Sequence, residues 1–261
     1  MTMFSNSSFL KSRIKAAGIH LGISLAIAGL AAILVFYVWY PYPYREISGG
    51  RELFFLVMAV DVIMGPVMTL TVFNLSKPRK ELFRDLTVIG LLQLAALVYG
   101  LWTVAVARPV HLVFEIDRFR VVHAIDVPSE MINKAPPKNQ QLPFTGPTLL
   151  SVRNFKDSNE SFEATMAAVQ GAALGARPDL WQNYETAKPQ ILAQVRPLVD
   201  LKNRFPARAA EIDKALGSAS APGRPTVSVG YIPMVGRNTF WTVLIDIHTA
   251  EVIAFVPIDS F

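Results

Sequence analysis

The sequence predicts an α+β membrane protein: a bundle of three transmembrane helices followed by a small mixed α+β domain outside the cytoplasm. Three observations lead there. Three apolar runs, Ile19–Tyr40, Leu53–Phe73 and Leu86–Ala107, are each 21 or 22 residues long, roughly 32 Å as helix and enough to cross a hydrocarbon core. The chain of 261 residues is 52% hydrophobic and only 17% charged, with mean hydropathy +0.35, too apolar for an ordinary soluble domain and too polar for a bundle alone. Beyond Arg108 the pattern changes to alternating apolar residues, proline-rich loop and amphipathic helix.

Charge orients the spans. Residues 1–106 carry nine Lys/Arg against five Asp/Glu, whereas 107–261 carry 16 against 15. The basic excess therefore flanks the apolar runs, and a nucleic-acid partner is not expected. Lys11, Arg13 and Lys15 precede the first run, and Lys77, Arg79, Lys80 and Arg84 lie between the second and third. The positive-inside rule places both segments in the cytoplasm. Residues 1–18 are then a cytoplasmic segment, 19–107 the transmembrane domain, and 108–261 an outer domain. The first run is too long for a cleaved signal peptide and reads as a retained anchor. Phe36, Tyr37, Trp39, Tyr40, Tyr42 and Tyr44 suggest an aromatic belt at the outer boundary.

Two sets of residues within the spans invite attention. Gly18, Gly22, Ala26 and Gly29 recur at three- and four-residue spacing and would let another helix approach closely, within the bundle or from a partner. Asp61 is the only acidic or basic residue of the three runs apart from His20. Gly65 and Thr69 follow it on the same helical face, and Pro66 cannot donate to the carbonyl of Val62. By depth, Gln93 and Tyr99 of the third run are the donors within reach of Asp61. A polar clamp inside the bundle, contact with a partner helix, and proton or ion handling all fit this set.

In the outer domain, Leu112, Phe114 and Ile116 alternate with His111, Val113 and Glu115, and Arg120–Val127 continues extended, so strands begin near residue 110. Pro128–Pro147, with five prolines, reads as loop. Ser158–Gly175 reads as a helix capped by Ser158 with Phe162, Met166, Val169 and Ala173 inward. A second helix opens at Lys188-Pro189 and kinks at Pro197, and a third runs from Pro206 to Gly217. A flexible link, Ser218–Pro225, precedes three strands, Val227–Val235, Phe240–Asp246 and Glu251–Val256. Strands at both ends of the domain suggest that its first and last strands pair.

Chemistry is hard to find. With no cysteine, thiolate nucleophiles and Cys-ligated metal are excluded. G-x-x-x-x-G-K-[ST], G-x-S-x-G and H-E-x-x-H are absent, which removes the common local signatures of nucleotide hydrolysis, esterase and metalloprotease activity. His111, His123 and Glu115 could meet across a hairpin, yet histidines on strands are more often structural than metal ligands. No catalytic residue, metal or cofactor is assigned.

Several stretches resemble the type IV pilin accessory proteins of the TfpX/TfpZ type. They are K-A-A-G-I-H-L at Lys15–Leu21, W-Y-P-x-P-Y at Trp39–Tyr44, D-V-x-x-G-P-x-x-T-L at Asp61–Leu70, and F-R-D-L-x-V-I-x-L-L-Q-L at Phe83–Leu94 followed by Y-G-L at Tyr99–Leu101. Farther on come A-R-P-V-x-L-V-F-E-I-D-R-F at Ala107–Phe119, Y-I-P-M-V-G-R at Tyr231–Arg237 and W-T-V-L-I-D at Trp241–Asp246. One departure is Ala250, in a turn that would more naturally hold glycine. The resemblance implies a bacterial inner-membrane factor or chaperone in pilus biogenesis, with a periplasmic C-terminal domain, the cognate major pilin and the lipid bilayer as partners, and no enzyme activity. The alternatives are a membrane-bound enzyme modifying pilin and a sensor or transporter subunit.

Overall fold

The computed structural model describes residues 3–219 and 228–261, with side chains over 10–218 and 228–261. The chain divides into two compact units, Met1–Pro41 with Gly50–Val106 and Tyr42–Gly49 with Ala107–Phe261.

Among the described residues of the first unit three helices are long and apolar enough to cross a membrane: Leu10–Trp39, Gly50–Val72 and Arg79–Val106. Each ends within a residue of the apolar run that predicted it and begins earlier, because helical hydrogen bonding continues into the polar residues that precede the run. The first consists of α1 (Met3–Ile33) and a π-helical segment, Leu34–Trp39. The second is α3 (Gly50–Ala59), a π-helical segment Val60–Met64, and α4 (Gly65–Val72); the third is α5 (Arg79–Val106). Most apolar side chains point away from the unit, Leu30 and Leu56 among them, as lipid-facing residues must. The interior is narrow and aromatic at one end: Val35, Trp39, Tyr40, Phe54, Met58 and Val104. Tyr40 is fully buried and donates its hydroxyl to the Val104 carbonyl at 3.1 Å. The expected belt is therefore divided, with Tyr37 and Tyr42 exposed and Trp39, Tyr40 and Tyr44 inside.

The second unit is built on a mixed eight-stranded sheet. Its strands are β1 (Pro109–Glu115), β2 (Arg118–His123), β3 (Thr148–Val152), β4 (Trp181–Asn183), β5 (Arg196–Pro197), β6 (Val229–Val235), β7 (Phe240–Asp246) and β8 (Val252–Val256). The order is β4-β3-β1-β2-β6-β7-β8, with β5 against β6. The ends of the domain do meet, but through β2 and β6, parallel with Phe119 opposite Met234, not through the first and last strands. β8 lies at the margin. β3 and β4 had no counterpart in the sequence reading. Among helices, α6 spans Ser158–Val169 and is capped by Asp157, whose carboxylate accepts from the Glu160 amide at 2.8 Å, not by Ser158. Its buried residue is Ala164, while Phe162, Met166 and Val169 are exposed, the reverse of the expected stripe. Pro197 breaks the second predicted helix outright: α7 (Lys188–Leu192) and α8 (Leu198–Arg204) are separated by β5. The third is α9 (Ala209–Ala219), burying Ile212 as expected. Residues 220–225 of the predicted link, and Val227, fall outside the described residues.

Packing on both sheet faces buries β1 along its whole length. One cluster gathers Leu112, Phe114, Phe119, Ile232 and Met234 with Tyr44 and Ile47 of the short helix α2 (Tyr44–Ile47); the other gathers Val110, Val113, Val122, Leu150 and Trp181. The loop between the first two spans is thus an integral part of this unit. Gly236 is required there: a Cβ would crowd Ile47, and its amide closes the turn to Thr239 at 2.8 Å. Ala250 does adopt φ 57, the left-handed conformation that glycine would accept without strain.

A strand covered on both faces also buries its polar residues, and each needs a partner. Glu115 accepts from Arg120 Nε at 2.9 and 3.0 Å and from the Gly175 amide at 2.5 Å. His111, 1% exposed, lies 2.8 Å from Thr148 Oγ1 and edge-on to Trp181 at 4.6 Å. Burial pushes its imidazole down to about 4. The unfolded chain protonates near 6.5, so between these values the unfolded state binds more protons and stability falls as pH falls. The full shift corresponds to about 3 kcal/mol. Unfolding of the full chain in detergent, followed by tryptophan fluorescence, is expected to weaken from pH 6.5 to 4, and His111→Phe should flatten this slope. An unchanged slope in the variant would contradict the assignment.

Candidate functional site

Asp61 sits in the π-helical segment of the second span. A π turn pairs the carbonyl of residue i with the amide of i+5, so the donor facing the Asp61 carbonyl would come from residue 66, which is proline. Gln93 of α5 supplies it, with Nε2 donating to the Asp61 backbone oxygen at 3.1 Å. The sequence pattern located the broken turn but assigned the freed acceptor to Val62. In the widened turn the Asp61 carbonyl faces the proline, and Gln93 serves that backbone oxygen, not the carboxyl group. Gly65 makes this possible: a Cβ there would overlap the Gln93 amide.

Thr69, buried at 2% exposure, completes the face, and its hydroxyl lies 2.5 Å from His20 Nδ1 on the first span. Arg13 Nε reaches the carbonyl of Phe73 at 2.7 Å, tying the same two helices one turn farther along. Pro66 is half-buried beside this face. Tyr99 is not part of it: its ring is 68% exposed and lies near Trp102. Both carboxylate oxygens of Asp61 are out of solvent contact and have no hydrogen-bond partner among the described residues.

His20 and Ser24, four residues apart and facing the other spans, were not singled out by sequence reasoning. Their signal was present, since a histidine and a serine on one face of an apolar helix need partners in lipid. With Asp61 and Gln93 they line a groove of about 250 Å³ whose remaining walls are apolar, including Ile27 and Leu97. All three spans contribute to its lining.

The small-residue series behaves differently from an internal seam. Gly18, Gly22, Ala26 and Gly29 are exposed, and a Cβ at Gly18, Gly22 or Gly29 would meet nothing within 4 Å. Residues 18 and 20 differ by about 200° around a helix, which puts the glycines almost opposite the seam carrying His20 and Ser24. Close helix approach occurs instead at Gly50 against the Tyr40 ring, at Gly65 against Gln93 and at Gly100 against Val57. In the second unit His111, His123 and Glu115 each have a different neighbour, respectively Thr148, Asp126 and Arg120. Among the described residues no group of three His, Cys, Asp or Glu is placed to hold a metal.

Comparison with known proteins adds an independent line. Residues 8–49 match the model of a family described as fimbrial assembly protein FimB. The fimbrial assembly protein of serogroup I from Dichelobacter nodosus is 35% identical over 249 residues, 95% of this chain and 95% of that one. That of serogroup E1 from the same organism is 34% identical over the same shares. The protein of serogroups C1 and C2 is 43% identical over 113 residues, 43% of this chain and 86% of its own. No solved structure matches.

The packing predicts which glycines matter. Gly100→Ala drives a methyl into the stiff Val57 side chain, and Gly65→Ala displaces an amide that holds a hydrogen bond. Each is expected to cost about 1–3 kcal/mol. Gly18→Ala and Gly22→Ala point into open space and should leave the fold intact, or stabilise it by up to about 1 kcal/mol through helix propensity. Thermal unfolding in detergent checks this; loss of stability in Gly22→Ala equal to that in Gly100→Ala would contradict it.

Proposed function

This chain belongs to the family of fimbrial assembly proteins, and from that membership we propose that it is a non-enzymatic membrane factor that holds the major type IV pilin before or during its assembly into pili. The observation that supports this reading most is the pairing of lipid-facing spans with a separately folded unit in one chain. A pilin awaiting assembly also has two parts, an apolar helix in the bilayer and a globular head. A factor with a bundle and a folded domain has a surface for each.

In this reading the protein lies in the bacterial inner membrane, residues 1–18 are cytoplasmic and the second unit is periplasmic. The basic flanks support that orientation. So does the burial of Tyr44 and Ile47 in the core of the second unit, since the loop between the first two spans must then lie on the same side as residues 107–261.

Deletion in the native host is expected to reduce pilin abundance or surface pili while leaving pilin mass unchanged. A changed mass would point to a modifying enzyme, and normal piliation would overturn the assembly role. Because the chain has no cysteine, single cysteines report sidedness directly. Tyr42→Cys should react with an impermeant thiol reagent in intact spheroplasts and Lys80→Cys only after lysis; the opposite pattern would reverse the orientation.

A further inference from the structure

The groove in the first unit has a charge pattern that the fold itself does not use. Gln93 is occupied by the Asp61 backbone and His20 by Thr69, yet the Asp61 carboxyl group turns both oxygens into a site where nothing meets them. In lipid a carboxyl group without a partner is costly, and such groups face a protein interior or a partner. The groove is open on its lipid side, where Ile27 and Leu94 remain partly exposed along its walls. It is also shaped for close approach: Gly90 lies in its wall, and a Cβ there would meet nothing within 4 Å.

We propose that this groove seats an apolar transmembrane helix of the pilus subunit, and that a cationic N–H group on that helix pairs with the Asp61 carboxylate. The proposal rests on the assembly role above and assigns that role a surface. Charge complementarity selects the occupant. A lipid tail would fill the apolar walls but leave the carboxylate unpaired, and a second copy of this chain would bring another acid to the same depth. A helix carrying a protonated nitrogen satisfies both the walls and the charge, through a charge-assisted hydrogen bond of the stronger kind.

The test is photocross-linking in the native host, with a benzophenone amino acid placed at Ile27 or Leu94 on the groove walls and at Leu30, 71% exposed, as an off-groove control. Both groove positions should capture pilin at least tenfold more than Leu30. Asp61→Asn, which keeps an acceptor but removes the charge, should lower capture about tenfold, and Asp61→Glu should retain it. Gly90→Leu fills the groove without disturbing the bundle and should lower capture as far, at unchanged abundance of this chain. Undiminished capture in either Asp61→Asn or Gly90→Leu overturns the proposal, as does capture of lipid or a second copy alone. If pilin co-purifies with the chain and piliation depends on it but the groove probes capture none, the groove assignment fails while the assembly role stands. If pilin neither co-purifies nor responds to deletion, the assembly role itself has failed.

Discussion

A proline in a membrane helix leaves a backbone carbonyl that lipid cannot satisfy, and the arrangement of the first unit follows from how that acceptor is served. Pro66 deprives the Asp61 carbonyl of its donor, and Gln93 crosses from the third span to replace it. That one contact accounts for three other features. Gly65 must lack a side chain, because the amide passes over it. The second and third spans are held in one register, since a slip of a turn would move Gln93 about 5.4 Å along its axis. With Gln93 on the backbone, the Asp61 carboxyl group is left without a partner among the described residues.

The second unit obeys the complementary rule for a sheet packed on both faces. β1 is covered on both faces, so its polar residues are held by specific neighbours: Glu115 by Arg120 and the Gly175 amide, His111 by Thr148. A buried carboxylate with an arginine and a backbone amide fixes the loop before Ala176 against the sheet without adding much net stability, because desolvation offsets most of the attraction. The short helix α2 brings Tyr44 and Ile47 into the same core. Tyr184, whose hydroxyl donates to the Ala250 carbonyl at 2.7 Å, secures the turn in which a non-glycine residue holds a positive φ.

Legibility in the sequence followed the strength of each physical signal. Apolar run length fixed the three spans to within a residue at their C-terminal ends, because lipid tolerates few exceptions to it. Strands β6, β7 and β8 and the burial of Ile212 were readable from alternation and helical spacing. β3 and β4 were not, because Thr148–Val152 follows a proline-rich loop and Trp181–Asn183 is only three residues long. The apolar stripe of α6 was read on the wrong face: Phe162, Met166 and Val169 have helical spacing, but spacing does not say which side a tertiary neighbour occupies. The same limit applies to Gly18, Gly22 and Gly29, since small residues permit close approach without naming what approaches. Asp61, Gly65, Thr69 and Gln93 were legible as a group because polar residues in lipid are rare. The role of Gln93 was not, because a π turn sets the Asp61 carbonyl opposite the proline and nothing in the local sequence announces it.

The central claim is that Gln93 substitutes for the donor that Pro66 lacks, and a double-mutant cycle tests it directly. Gln93→Leu alone should destabilise the bundle in detergent by about 0.6 kcal/mol, the average for hydrogen bonds between membrane helices, and by no more than about 1.7 kcal/mol. Pro66→Ala restores a backbone N–H to the turn, so in that background Gln93→Leu should cost little, and the two changes should couple by most of the single-mutant effect. Strict additivity, with Gln93→Leu equally destabilising whether residue 66 is proline or alanine, would contradict the account.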